Sequence, residues 1–543
     1  MKKFLLSNWP LILITVLSGL VTWPLFASGY FSHHDNLQVI RIFEMRKCFD
    51  DVQIPCRWVP DMGYGNGYPL FNFYGVLPYY IGALFSFFAG FIGAAKILFF
   101  IPLLLGGVAM YFLAKELFGK IPGTVAAVLY LFAPYRALDS YVRGDVGESF
   151  ALALLPLVFY SFLKLIKSKK RNDFILATLV MFLFLITHNV MILIFTPVIV
   201  SWVIFLLMQE KWHGYKLVFL SLVLAFGLSA FFILPAFFEK NLVQTDSLTV
   251  GELDFRNQFV KISQLFVDRS WHYSGSNPQS SFTISYQIGW PHWLVAFLGI
   301  AIALIVKRKN RALPIFLFGV FIFGVFMTHN KSAPVWELIK ILAFVQFPWR
   351  FLSFAIFSAS LLGGYLMFQL KGKWLIVSSS AIIVLTVLLN WQYFKPEHFY
   401  YTLTDKELLS GQSFITQQAG AILDYLPKTA TEPRELAPKN PYVVSGNAVI
   451  TSFVNKSDSW SFDAKVTKAA VIEVPVLYFP NWTVNYPTKL GTIGRIAISL
   501  PVGEDKVVGS FKNTPIRTVG NTISILSFIA LAILYAKNRK IFI

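Results

Sequence analysis

Charged residues are scarce in this sequence of 543 residues. They occupy 14% of the positions, against 56% for hydrophobic residues, whereas a soluble domain has roughly 25% charged residues. So few charges cannot cover a surface that faces water, which excludes a soluble globular protein. Mean hydropathy is +0.61, and apolar runs close to the ~20 residues that cross a bilayer recur along the chain. The sequence therefore predicts an integral membrane protein.

The common nucleotide-binding and hydrolase motifs are also missing. The sequence contains no Gly-Lys-Ser phosphate loop, no dinucleotide fingerprint and no Gly-x-Ser-x-Gly turn. Their absence disfavours an ATP-driven transporter and a serine hydrolase. The net charge is +19, but the basic residues gather in short runs between apolar stretches rather than in a basic domain. We therefore expect no nucleic-acid partner.

The basic runs set the orientation of a multi-pass protein in the cytoplasmic (inner) membrane. Since Lys and Arg collect on the cytoplasmic side, both termini are predicted to be cytoplasmic. The clearest predicted spans are Trp9–Ala27, Ala151–Ile166, Phe174–Ile186, Val218–Phe238, Trp293–Val306, Phe351–Leu370, Trp374–Leu389 and Ile523–Tyr535. The basic runs are Lys2-Lys3, Lys167–Arg171, Lys211–Lys216, Lys307–Arg311, Lys371–Lys373 and Lys537–Lys540.

One region conflicts with simple counting of spans. Two apolar stretches, Val76–Ala95 and Ile97–Leu113, precede Lys115 and Lys120. If both crossed the membrane, every later loop would be inverted against its charge. We therefore interpret Val76–Ala95 as interfacial or re-entrant, which gives about 12 crossings of a polytopic α-helical fold. Counts of 13 or 14 stay open, because helix boundaries from pattern alone shift by roughly 2–4 residues.

The segment 391–517 differs from the multispan part, 1–390, that precedes it. Short β-type runs punctuated by Pro, Gly and Asn predict a small antiparallel sandwich on the extracytoplasmic side. The remainder, 518–543, is predicted to be the last transmembrane helix and a cytoplasmic tail. The β-type runs are Tyr442–Val444, Ala448–Val454, Trp460–Val466, Ala469–Val474 and Ile493–Leu500.

The first outer loop, 31–75, follows the first predicted span. Apolar residues at helical spacing between Leu37 and Phe49 predict an amphipathic helix lying on the membrane surface. Asp35 falls at or just before its start, where it is either a cap for free N–H groups or a group held for chemistry. Arg41 and Arg57 are interpreted either as lipid-headgroup contacts or as substrate-binding groups.

Other residues of this loop leave two interpretations open as well. Tyr64 and Tyr68 belong to an aromatic-glycine run that is typical of an interfacial belt or of a substrate site. Cys48 and Cys56 are the only cysteines, and an oxidising outer compartment permits a disulfide between them. A zinc site is less favoured, since no further His or Cys ligands flank them at zinc spacing.

Charged and aromatic residues also collect in the later outer turns. Arg143, Asp145 and Glu148 lie in one short turn with Arg136 and Asp139, either as a functional group or as a structural ion-pair cluster. Asp145 and Glu148 are a weak signal for a divalent cation, together with Asp35. His188 and His329 end predicted spans, and Trp349 precedes Arg350, a candidate for holding a phosphate.

The order of these residues resembles a known group. The sequence is similar to bacterial membrane proteins described as 6-pyruvoyl-tetrahydropterin synthase-related, and more loosely to the GT-C superfamily of polyprenyl-phosphate-sugar glycosyltransferases. The stretches that carry the resemblance are His34-Asp35, Arg41-Ile42, Glu44, Arg57-Trp58, Gly63-Tyr64-Gly65, Tyr68–Phe71, Arg143–Glu148, Thr187-His188-Asn189, Phe347–Arg350 and Tyr478–Trp482.

The resemblance implies a GT-C fold and a mechanism. In GT-C enzymes an acid of the first outer loop is the general base for the acceptor hydroxyl, and Asp35 is the matching residue. Basic side chains would hold the polyprenyl phosphate that leaves. The implied partners are a polyprenyl-phosphate-linked sugar donor, a glycan or protein acceptor, and membrane lipids, with a divalent cation as an open possibility.

Two other classes of function remain under consideration. A lipid or glycan transporter, or flippase, would place ionisable residues inside several spans, and the predicted spans are nearly free of charge at their centres. A non-catalytic membrane protein would bind glycan through Trp460 and Trp482 of the segment 391–517. The composition and the loop acid favour the transferase.

Overall fold

A computed structural model gives the fold of residues 2–306 and 311–536. The predicted basic residues at 307–310 and 537–540 lie outside the described residues. The longer helices are α1 (Lys2–Val21), α2 (Gln38–Asp50), α3 (Leu77–Phe118), α4 (Lys120–Leu131), α5 (Val146–Ser168), α6 (Arg171–Leu185), α7 (Asn189–Gln209), α8 (Tyr215–Phe238), α9 (Trp290–Ile305), α10 (Ala312–Thr328), α11 (Leu352–Phe368), α12 (Gly372–Asn390) and α13 (Pro515–Ala536).

The helices confirm a polytopic membrane fold with fewer clear spans than predicted. Within 2–306 and 311–536, seven helices are long and apolar enough to cross a membrane, or up to nine if each of two bent pairs is one span. We expected 12 to 14. Several predicted spans are short or bent: α6 has 15 residues, and α10 turns by 90° into the helical segment that follows it.

A break at Gly90 divides α3, which has 42 residues. The φ angle of Gly90 is +69°, and a Cβ there would lie 2.5 Å from Oδ2 of Asp405, so only glycine fits. Asp405 accepts hydrogen bonds from the N–H groups of Phe91 (2.7 Å) and Ile92 (2.8 Å) and thereby starts the second part. The first part, 77–89, is about 20 Å long, too short for a ~30 Å hydrocarbon core. This agrees with the interfacial or re-entrant interpretation.

The predicted surface helix of the first loop is instead buried. In α2, residues on every side are covered, among them Val39, Ile40, Arg41 and Glu44. The first part of α3 packs on one side, and Phe414 of a short helix far along the chain packs edge-on against Phe43 at 5.9 Å. The prediction of an amphipathic helix on the membrane surface was wrong, because side chains from distant parts of the chain cover the helix where we expected lipid.

The loop 31–75 is tied to the segment after residue 390 at several points. Strand β1 (Tyr30–Phe31) pairs with β2 (Phe399–Tyr400) in an antiparallel ladder. The structure joins Cys48 to Cys56 by a disulfide, with their Cα atoms 5.6 Å apart. Gln53 Nε2 donates to the carbonyl of Ser457 at 2.6 Å. The loop therefore has a fixed shape rather than being a free segment.

The segment after residue 440 forms one antiparallel sheet. The strands are β3 (Tyr442–Asn455), β4 (Ser459–Leu477), β5 (Trp482–Val484), β6 (Thr488–Leu490), β7 (Arg495–Leu500) and β8 (Gly503–Phe511). The long β4 pairs with β3 along one edge, and with β8 and then β7 along the other. Among the described residues these six strands join in a single sheet, where we predicted a sandwich. The sequence pattern missed β5, β6 and β8.

The buried face of the sheet packs against the loop 31–75. Trp460 and Trp482 lie in its core and are 1% and 6% exposed. The ring of Trp58 meets that of Trp482 edge-on at 5.4 Å. Neither tryptophan is therefore available to bind glycan, which was the basis of the non-catalytic interpretation. Every second side chain along β4 points to the same face of the sheet. That face is apolar, and the loop 31–75 shields it from water.

Helix α11 lies at the centre of the bundle and is buried along most of its length. Helices α4, α9 and α10 pack around it. It begins two residues after Arg350, and α13 returns the chain from the sheet to the bundle. The helix ends near the sheet meet the loops at 31–75, 134–145 and 239–289, and residues of all three loops line one cavity.

Candidate active site

A cavity of about 1010 Å³ opens where these loops meet. Its walls come mainly from the loop 31–75, the turn before α5, the start of α7, the end of α8, the loop 240–253 that follows α8, the segment 341–350 and the segment 421–425. The polar residues on its walls include His34, Asp35, Arg41, Tyr74, Arg143, Asp145, His188, Asn189, Lys240, Asn241, Gln346, Arg350, Asp424 and Tyr425. The cavity is large enough for a ligand with a polar head and part of a lipid tail.

Asp35 is held by the first turn of α2. Its carboxylate accepts hydrogen bonds from Arg41 at 2.7 Å and from Gln38 at 3.0 Å. Asp35 stands before the N-terminal cap position, which Leu37 occupies, so it does not cap the helix. Its side chain keeps 27% of its surface exposed, against 4% for Arg41. An oriented carboxylate with one accessible side is what a general base requires.

The backbone around Asp35 is fastened to the turn before α5. The N–H of His34 donates to the carbonyl of Val142, and that of Asp35 to the carbonyl of Arg143, each at 2.9 Å. Gln38 Nε2 donates to the carbonyl of Gly144 at 2.8 Å. A Cβ on Gly144, whose φ is +68°, would lie 2.2 Å from Nδ1 of His33. This close approach sets Asp35 beside the charged residues of the next turn.

Two arginines and three acids form what we call the cavity cluster: Asp139, Arg143, Asp145, Glu148 and Arg350. Arg143 donates to Asp139 and Glu148 at 2.6 Å and to Asp145 at 3.0 Å. Arg350, which is 202 residues from Glu148, donates to it at 3.0 Å and to Asp145 at 3.3 Å. Of these five residues, Arg143, Asp145 and Arg350 line the cavity.

His188 and Trp349 complete this wall. His188 caps α7 by accepting the N–H of Met191 through Nδ1 at 3.3 Å, and its Nε2 lies 3.8 Å from Asp145. Burial lowers the pKa of His188, and Asp145 opposes that shift. Burial also acts to raise the pKa of Asp145, but His188 and the arginines outweigh it and lower that pKa. Trp349 lies under Arg143, 4.6 Å from ring centre to guanidinium carbon.

The other arm of the cavity is apolar. It runs between α7 and α8 and the segment 341–347. Phe226, Phe237, Ile341 and Phe344 are between 43% and 60% exposed along it. Exposed apolar side chains in a membrane protein face lipid, so this arm is open to hydrocarbon chains. Further apolar lining residues are Leu185, Ile192, Leu193, Phe232, Ile233, Leu248 and Leu253.

The structure thus brings together many of the residues that the sequence singled out. Asp35, Arg41, Arg143, Asp145, His188, Trp349 and Arg350 line the one cavity described above, and Glu148 reaches it through Arg143 and Arg350.

Four predicted residues lie elsewhere. Arg57 donates to Asn72, Asn521 and the carbonyl of Phe231. Tyr68 is buried beside Met62, Tyr64 packs against the sheet core, and His329 accepts the N–H of Lys331 as a helix cap.

Several lining residues were not predicted. Lys240 and Asn241 follow α8 and are exposed, and Gln346 has a positive φ of 65° beside Arg350. Asp424 lies in the segment that leads to the sheet, which begins at Tyr442. No spacing or motif marks these positions, because they come to the cavity through the path of long loops.

The three acids of the cavity cluster are the groups that could bind a divalent cation. One oxygen each of Asp139, Asp145 and Glu148 lies within 4.8 Å of the others. Carboxylate oxygens suit Mg²⁺ or Ca²⁺, but the same three groups already accept hydrogen bonds from Arg143, and two of them from Arg350. Asp35 is bonded to Arg41 and is not part of this triad.

The fold and this cavity define an integral membrane protein with a large cavity at one end of its helical bundle. Comparison with known families then places it. The chain belongs to the family described as "6-pyruvoyl-tetrahydropterin synthase related domain; membrane protein", whose match covers residues 71–395. This confirms the resemblance seen in the sequence.

One relative is an uncharacterized protein of Lactococcus lactis subsp. cremoris (strain MG1363). It is 24% identical over 260 residues, which cover 46% of this chain and 42% of the relative. The chain thus spans less than half the length of that relative.

Three solved structures are similar over part of their length. The arabinofuranosyltransferase AftD from Mycobacteria aligns with 73% of this chain and 28% of its own (TM-score 0.48, 13% identity). The Archaeoglobus fulgidus oligosaccharyltransferase aligns with 73% of this chain and 56% of its own (TM-score 0.40, 14% identity). ArnT from Cupriavidus metallidurans aligns with 66% of this chain and 77% of its own (TM-score 0.29, 13% identity). At these scores the likeness is partial and assigns no activity to this chain.

Proposed function

We propose that this protein is a glycosyltransferase that moves a sugar from a polyprenyl-phosphate donor to an acceptor hydroxyl of a glycan or protein. The observation that carries the proposal is the cavity whose apolar arm runs into a polar end lined by three arginines and by carboxylates that include the partly exposed Asp35. A lipid-linked sugar has the matching order of parts: hydrocarbon, phosphate, sugar.

The apolar arm would take the hydrocarbon chain and leave the phosphate at the polar end. Arg350 and Lys240 both line the cavity and are suited to a phosphate, the first by its planar fork and the second by the ammonium of an exposed side chain. His188 and Asn189 are a third polar contribution at the start of α7, where the helix dipole favours negative charge.

Asp35 would act as the general base. The acceptor oxygen attacks the anomeric carbon, and the bond from that carbon to the phosphate oxygen breaks with its electron pair on the phosphate. The acceptor proton passes to Asp35, so charge moves from carboxylate to phosphate. Arg41 keeps Asp35 in place, and the arginines stabilise the charge that develops on the leaving phosphate.

The sheet end of the bundle is proposed to face the outside of the cytoplasmic membrane. The basic runs Lys167–Arg171, Lys211–Lys216 and Lys371–Lys373 lie at the opposite helix ends. A cysteine placed at the exposed Asp463 in intact cells should react with a membrane-impermeant maleimide. Labelling only after lysis would reverse the orientation.

The activity is tested with purified full-length protein and a panel of radiolabelled farnesyl-phosphoryl sugars, with a cell-envelope fraction as acceptor. Asp35→Asn should lower transfer by about 10²–10⁴-fold, because an amide cannot take the proton. Asp50→Asn is the matched control, since Asp50 lies exposed in the same loop. Transfer that survives in Asp35→Asn would show that Asp35 is not the base.

A further inference from the structure

The segment 420–427 enters the cavity from the side that leads to the sheet. The N–H of Gln244 donates to the carbonyl of Leu426 at 2.8 Å, and the hydroxyl of Ser247 to the carbonyl of Leu423 at 3.1 Å. Gly420 lies against the side chain of Leu37. The segment is therefore held between the loop 31–75 and the loop after α8, and its side chains have fixed positions on the cavity wall.

Three carboxylates line the cavity among the residues that the structure describes: Asp35, Asp145 and Asp424. Asp35 is paired with Arg41, and Asp145 with Arg143 and Arg350. The carboxylate of Asp424 is partly buried and has neither an ion pair nor a hydrogen bond within that described set. A partly buried carboxylate without a partner costs free energy, so its oxygens are available to a ligand.

The charge of Asp424 decides which part of a ligand it meets. A carboxylate repels a phosphate at short range, whereas it is a strong acceptor for hydroxyl donors. The next residue, Tyr425, also lines the cavity; its ring lies 6.4 Å from that of Tyr74 and stacks on Phe73. Aromatic faces next to a free carboxylate are a suitable wall for the C–H and O–H groups of a sugar.

Burial, together with the nearby Asp35, raises the pKa of Asp424 to about 6, while Arg41 opposes the shift. The group is thus still mostly ionised at neutral pH. Asp424 lines the same cavity as Asp35 and Arg41.

We propose that Asp424 binds the sugar of the lipid-linked ligand by accepting hydrogen bonds from its hydroxyl groups, and so determines which sugar the site takes. This inference rests on the proposed function and adds a role for the segment that leads into the sheet. That segment supplies a wall of the site, so it is part of the ligand-binding machinery rather than an appendage.

The test measures binding to the purified full-length protein by tryptophan fluorescence. The probes are farnesyl phosphate and farnesyl-phosphoryl derivatives of several hexoses and pentoses. For wild type, at least one sugar probe should bind more tightly than farnesyl phosphate. Asp424→Asn should weaken that probe about ten- to a hundredfold, and leave the affinity for farnesyl phosphate unchanged or slightly higher. Asp463→Asn, at an exposed position of β4, should change neither.

Binding of farnesyl phosphate also reports that each variant is folded. If Asp424→Asn keeps the full preference for the sugar probe, or wild type shows no such preference, Asp424 does not recognise a sugar. If wild type binds no farnesyl phosphate at all, the proposed function itself fails, which is a different result from loss of the sugar preference alone.

Discussion

Two clusters of buried arginines and acids lie near the sheet end of the bundle, and only one of them opens on the cavity. In the cavity cluster, Arg143 and Arg350 meet Asp145 and Glu148 on the wall of a large open space. The second, which we call the sealed cluster, consists of Arg57, Asn72, Glu239, Thr514 and Arg517.

In the sealed cluster, protein groups surround the central carboxylate. One oxygen of Glu239 accepts from Arg517 at 2.9 Å and from Asn72 at 2.8 Å, and the other accepts from Thr514. Arg517 is completely buried. Buried charge in a membrane protein is therefore not enough to mark a site; access to a cavity is what separates a binding group from a structural one.

The largest effect is expected in the sealed cluster. Arg517→Met leaves Glu239 as a buried carboxylate without its cation, so the free energy of unfolding should fall by about 3–5 kcal/mol. The measurement is thermal unfolding of the purified protein in detergent. Arg517→Met combined with Glu239→Gln should regain much of the loss, because no charge is then left unpaired. An unchanged unfolding temperature in Arg517→Met would remove the structural half of the comparison.

Arg350→Met tests the other half. Arg143 keeps its hydrogen bonds to both Asp145 and Glu148, so stability should fall by only about 1–2 kcal/mol. The affinity for farnesyl phosphate should fall about tenfold or more, since a charge-assisted pair with the phosphate is lost. Arg57→Met, in the sealed cluster, is the matched control, and its folded fraction should bind farnesyl phosphate normally. Equal loss of affinity in both variants would contradict the distinction.

Arg41 and Arg57 show most clearly how far the sequence could predict which charged residues belong to the site. They lie 16 residues apart in one loop, and the sequence suggested the same two roles for both. Arg41 lines the cavity, whereas Arg57 belongs to the sealed cluster. The guanidinium of Arg57 donates a hydrogen bond to Asn521, which is 464 residues away in the sequence. Local pattern carries no information about such a partner.

Other parts of the site followed from simple rules. Alternation of loops between two sides predicted that Asp35, Arg143, His188, His329 and Arg350 share one face, and all of these except His329 line the cavity. The same rules could not place Asp424, whose position depends on how 420–427 packs on Gln244. They also wrongly assigned α2 to the membrane surface. The short helix that covers Phe43 begins at Gly411, too far along the sequence for a local pattern to indicate the contact.

The cavity is also the region where pH should act. The ionised form of Asp424, with a pKa raised to about 6, is the one that accepts hydroxyl groups. The preference for a sugar probe, measured here against methyl farnesyl phosphate, a phosphodiester without a sugar whose charge does not change in this range, should therefore fall as the pH drops through about 6, by roughly tenfold between pH 7.5 and pH 5.

The charged and titratable groups near Asp424 are Asp35 and Arg41 from the loop 31–75, Tyr68 from the same loop, and Tyr425. The tyrosines stay neutral in this range, because burial raises their pKa values. Asp424→Asn should abolish the pH dependence of the preference. If the variant keeps it, another group is responsible.

The smallest effect is expected from metal ions. A divalent cation among Asp139, Asp145 and Glu148 would meet Arg143, which donates to all three at 2.6–3.0 Å. Two like charges so close repel strongly in a site with little water, so the arginines occupy the place that a cation would take. Adding EDTA, Mg²⁺ or Mn²⁺ should change the affinity for farnesyl phosphate less than about twofold, which is within ~0.4 kcal/mol. A larger gain with Mn²⁺ that Glu148→Gln removes would show that the cluster does bind a cation, and that Arg143 moves away to admit it.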